Sequence, residues 1–167
     1  EMNKPKLQSE QREAKNEDVL RLADVDIAQV SALLSNYGLV LTIIPAGDEI
    51  PGSYWGDEEA GLIGDQLMVR PDTPLHSVLH ETCHYVCMPA KQRTHELVDA
   101  KGSAMEENAT CYLQILLADH INGYSRSQLM EDMDAWGYSF RLGSAHAWFI
   151  HDAEDVCKWL QKHRIIK

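Results

Sequence analysis

Apolar positions recur at helical spacing from Asp26 onward. In DIAQVSALLSNYG they fall at Ile27, Val30, Leu33 and Leu34, one face of a 3.6-residue period. Gly38 suits the left-handed position that ends such a helix. LVLTIIP is a short, β-branched run stopped by proline and predicts a strand. AGDEIPGSYWGDEEAG, with four glycines and a proline, predicts a loop with room for a hairpin. LIGDQLMVRP predicts one bent strand or two short ones turning at Gly64-Asp65. Thr73 is placed to cap a helix and Pro74 to occupy its first turn. That helix is expected from about Pro74 to Met88, with Pro89 ending it.

A polar loop, PAKQRTHELVDAKGS, leads to a second long helix over 103–121, broken by Asn122-Gly123. SRSQLMEDMDAW predicts a third helix and YSFRLG a short strand or extended link. SAHAWFIHDAEDVCKWLQKHRI predicts one C-terminal helix. Helix, strands and then helices make an α+β order. Residues 1–24 are polar and glycine-free and are expected to be an appendage. Residues 25–167 are expected to form one domain, since domains run to roughly 100–200 residues.

Within the helix predicted at 74–88, His76, His80 and His84 stand four apart. Residues four apart share a helix face, so two of them can hold one metal ion. His76 and His84 lie two turns, or roughly 12 Å, apart along the axis and cannot both join His80 equally. The pair His80 and His84 encloses Glu81, in the order His-Glu-x-x-His. A glutamate there sits beside the ion without binding it and can act as a general base. His76 and His80 enclose no acid or base, which leaves His76 as a residue of the first helical turn, exposed or hydrogen-bonded.

A zinc centre that does chemistry needs a third protein ligand and one open position. The downstream candidates are His95, Glu96, Asp99, Glu106, Glu107 and His120. Position 90 is Ala, so no histidine stands six residues after His84. Tyr124, Tyr138, His146 and His151 are candidate donors to a developing oxyanion. Trp55, Trp136, Trp148 and Trp159 read as core anchors.

Composition narrows the partners. A formal net charge of -11 repels phosphate backbones, so nucleic acid is not expected as a partner. No apolar run reaches the ~18 residues that would span a membrane. The polar start shows no secretory core segment, and a cytoplasmic location is expected. Cys83, Cys87, Cys111 and Cys157 form no CxxC pair and read as small buried or reduced thiols.

His80-Glu81-x-x-His84, followed by a helix reading Glu-x-x-Ala at Glu106 and Ala109, resembles the gluzincin branch of the zincin metallopeptidases. In scale it is closest to the small ImmA/IrrE-like and minigluzincin domains, where a strand also directly precedes the motif helix. The likeness covers about residues 39–120, and only the five-residue motif is sharp. It implies a zincin-like domain, a zinc cofactor, and Glu106 as third ligand with Glu107 its neighbour. It also implies a peptide or protein substrate. Two positions depart from the family pattern: Thr110 replaces an acid or amide after the alanine, and Cys83, a thiol next to the site, replaces a glycine.

Hydrolysis of a peptide bond is therefore the leading expectation, with Glu81 as base and residues 66–70 as an edge strand aligning an extended substrate. The alternative is a metal-stabilised binding or regulatory module that keeps the ligands and turns nothing over. An endoribonuclease with helical histidines fits neither the spacing nor the charge.

Overall fold

A computed structural model describes residues 19–53, 58–88 and 104–167. Trp55, His95, Glu96, Asp99 and all but the last six positions of the expected appendage lie outside those residues. Among the described residues the fold is α+β. It comprises α1 (Ile27–Ser35), β1 (Val40–Ile43), β2 (Gly61–Ile63), β3 (Gln66–Val69), α2 (Leu75–Cys87), α3 (Ala104–Leu117), α4 (Arg126–Trp136), α5 (Ala145–His151) and α6 (Glu154–Lys162).

The caps of α1 and α4 follow from local chemistry. Asp26 accepts a hydrogen bond from the Ala28 amide, and Ser125 from the Gln128 amide. Gly137, at φ 103, ends α4 in the left-handed region that a side chain disfavours. Thr73 does not cap α2 as expected. Its hydroxyl accepts from the Arg70 amide at 2.8 Å, closing the turn that leaves β3. The first amide of α2, on Leu75, instead donates to the Leu20 carbonyl at 2.8 Å.

Leu20 belongs to a segment that sequence placed in the appendage. Leu22 donates its amide to the Thr73 carbonyl and Ala23 to that of Pro71, while Val19 and Leu22 are buried. The Leu20 amide reaches the Asp132 carboxylate on α4 at 3.2 Å. Residues 19–24 therefore pack as part of the folded body, held by backbone pairing and by apolar burial.

LIGDQLMVRP forms two strands, β2 and β3, joined at Gly64-Asp65. The sheet order is β1-β3-β2, with β1 parallel and β2 antiparallel to β3. The expectation that residues 66–70 form an edge strand is thereby corrected. β3 is hydrogen-bonded on both sides, so its backbone has no side open to an extended substrate. Pairing between β1 and β3 is non-local, and alternation along the chain does not reveal it.

The C-terminal region differs in two places. YSFRLG contains no strand; it ends in a 3-10 turn, Arg141–Gly143, in which Leu142 has φ 71. The single expected C-terminal helix is two, α5 and α6, broken at Asp152 and Ala153. α5 packs on α4, whereas α6 packs on α3. One straight helix could not turn its apolar side to both.

A shared apolar core runs from Leu22 and α1 through the sheet to α2, α3 and α6. α2 passes through the middle of it. Leu75, Val78, Leu79, Cys83 and Cys87 are buried on one side of α2, yet His76, His80 and His84 are buried too. Buried imidazoles must find partners or ligands, since leaving such groups unsatisfied costs about 1–3 kcal/mol each. No helix among the described residues is long and apolar enough to cross a membrane.

Candidate metal centre

The polar side of α2 faces α3. His80, Glu81 and His84 each present one ligand atom, and these atoms lie within 4.8 Å of one another. The His80 and His84 rings stand edge to face with centroids 4.7 Å apart. His80 is 1 % exposed and His84 9 %, while Glu81 is half-buried. The group is thus sheltered, with its carboxylate nearer to solvent than its imidazoles. Such a set of two imidazoles and a carboxylate can hold a metal ion.

From α3, the Glu107 carboxylate comes to 3.2 Å from His84 Nε2 through Oε2. Its other oxygen, Oε1, is buried and accepts no hydrogen bond from the described residues. A buried carboxylate oxygen beside the His84 imidazole is a donor of the kind divalent cations take. Glu106, expected from the family resemblance to be the third ligand, precedes it by one position. Its backbone carbonyl accepts from the Thr110 hydroxyl at 2.9 Å. Thr110, at the position where the family carries an acid or amide, is thus turned back onto its own helix.

Seven residues beyond Glu107, on the same helix face, lies Gln114. It is fully buried. His80 Nδ1 lies 3.0 Å from its amide oxygen, and its amide nitrogen donates to the His76 carbonyl at 2.7 Å. Sequence reasoning missed this residue. The available signal was a lone glutamine inside the apolar run CYLQILL, in register with Glu107.

His76 is hydrogen-bonded, one of its two expected states, but it is buried rather than exposed. Its Nδ1 lies 3.1 Å from the Tyr138 hydroxyl, and its ring stands 5.0 Å from that of Trp136. Trp136 donates to the buried Glu59 carboxylate at 2.7 Å. Of the four candidate oxyanion donors, Tyr138 is the one whose ring packs on His80, with centroids 5.5 Å apart. Desolvation, followed by the nearby Cys111, holds its phenol well above the ordinary tyrosine range, so it remains a proton donor. Tyr124 donates instead to Asp132 at 3.2 Å, and His146 and His151 are exposed. His120 is exposed at the far end of α3.

Cys83, expected beside the site, shares the apolar side of α2 with Leu79 and Cys87. Burial, then the neighbouring Cys87 and Cys111, pushes its thiol pKa up, which keeps it protonated. None of the four cysteines is in a disulfide. No family model, curated protein or solved structure matches the chain.

Proposed function

We propose that the chain is a zinc-dependent hydrolase of peptide bonds, in which His80, His84 and Glu107 hold the ion and Glu81 is the general base. The observation that supports it most is the grouping of His80, Glu81 and His84 on one helix against Glu107 of the next. Two imidazoles and one carboxylate form a ligand set suited to zinc with a position left open. When bound, such an ion polarises a carbonyl and lowers the pKa of water toward ~7.

The remaining work falls to side chains. Glu81, half-buried at the solvent side of the group, takes a proton from the attacking water and returns it to the leaving amine. The sheltered imidazoles exclude bulk water from the other side. Tyr138, neutral and packed on His80, is the hydroxyl offered to a developing oxyanion. The likeness to gluzincins favours a peptide substrate over other carbonyl compounds.

Chelator treatment followed by restoration of one zinc equivalent tests this directly. Against an unbiased peptide library, the stripped chain is expected to cleave nothing and the restored chain to regain cleavage. Equal cleavage by both forms would remove the metal from the chemistry.

The third ligand is tested separately. Glu107→Gln is expected to weaken zinc affinity by more than ~100-fold, beyond the range for groups that only support a ligand. Glu106→Gln is expected to change it by less than ~10-fold. Competition with a chromogenic chelator measures both, and the reverse ranking would return the role to Glu106.

A further inference from the structure

Beside the His84–Glu107 contact, one amide bridges the two helices of the centre. The side-chain nitrogen of Gln114 is 2.7 Å from the His76 carbonyl. A carbonyl oxygen has no proton to give, so the amide must turn its NH2 group toward it. The amide oxygen then faces His80 Nδ1, at 3.0 Å. That oxygen has no proton either, so Nδ1 must carry one. In a neutral imidazole the lone pair therefore lies on Nε2.

Tyr138 borders both rings: its own ring centroid is 5.5 Å from that of His80, and its hydroxyl lies 3.1 Å from His76 Nδ1.

We propose that Gln114 is the positioning residue of the centre: it holds His80 in the Nδ1–H form, with the Nε2 lone pair as its ligand atom. The use of this arrangement rests on the metal reading above, but the tautomer itself needs no ion. Imidazole in water favours the Nε2–H form, so His80 is held in the less common one before any ion arrives. Partners that orient a ligand in this way are worth 10- to 100-fold in metal affinity, an order-of-magnitude expectation.

Long-range proton–nitrogen correlation spectra of the full chain, labelled at histidine and freed of metal, read the His80 ring at about pH 8, above the ordinary imidazole range. His80 is expected to give the Nδ1–H pattern. Gln114→Leu keeps the bulk but offers neither donor nor acceptor. It is expected to return His80 to the Nε2–H form and to lower zinc affinity by roughly 10- to 100-fold. Gln114→Glu keeps an acceptor before Nδ1 and is expected to restore the Nδ1–H form. An Nε2–H pattern for His80 in the wild-type chain overturns the proposal. So does a Gln114→Leu variant with an unchanged His80 pattern. If Gln114→Leu fails to fold, the wild-type and Gln114→Glu spectra decide. The Nδ1–H form of His80 in a chain that binds no zinc would support the lock and reject the metal centre.

Discussion

Replacing Glu81 by glutamine is expected to slow peptide hydrolysis by at least ~100-fold while metal content and thermal stability stay at the wild-type level. Glutamine has nearly the same size and polarity but cannot accept a proton from water. Glu81 is half-buried, so the substitution opens no core cavity, and His80, His84 and Glu107 are left in place. The rate is read by mass spectrometry on peptide-library products, and the metal by elemental analysis of the same samples. Loss of metal along with activity would make Glu81 a ligand and not a base. If Glu81→Gln retains full function in cells, the enzyme proposal fails and a metal-stabilised binding module replaces it.

Histidine substitutions should divide the helix sharply. His80→Ala and His84→Ala are each expected to take the chain from about one bound zinc to none at micromolar zinc, an affinity loss well beyond ~100-fold. His76→Ala should keep the ion. It removes a buried ring packed between Trp136 and Tyr138 and a hydrogen bond to the latter, so its expected effect is a stability loss of about 2–4 kcal/mol. Native mass spectrometry and thermal melts on the three variants distinguish these outcomes. Metal lost from His76→Ala and kept in His84→Ala would reassign the pair.

The motif was legible because its spacing is local. Residues four apart meet on any helix, whatever surrounds it, so His80 and His84 could be paired from the sequence together with Glu81. Gly64-Asp65 and Gly38, at φ 82, were legible for the same reason, since a turn is decided within a few residues. Which of Glu106 and Glu107 stands against His84 was not local. It depends on which side of α3 faces α2, and the polar seam runs through Glu107 and Gln114, while Ala109 and Leu113, in register with Glu106, are in the core. β3 read as an edge strand because nothing in a four-residue run reveals a parallel neighbour more than twenty positions away. The break at Asp152-Ala153 likewise answers to two separate partners, α4 and α3, that no periodicity names.

The hydrogen bonds that tie residues 20–23 to residues 71–75 give the molecule a mechanical linkage. Leu20 grips the amide of Leu75, the residue next to His76, and its own amide grips Asp132 on α4. Tension on the chain ahead of Val19 is therefore delivered to the opening turn of α2 and to α4 before it reaches the sheet. A tether or a pulling partner attached there would load the first turn of the helix that carries His80 and His84.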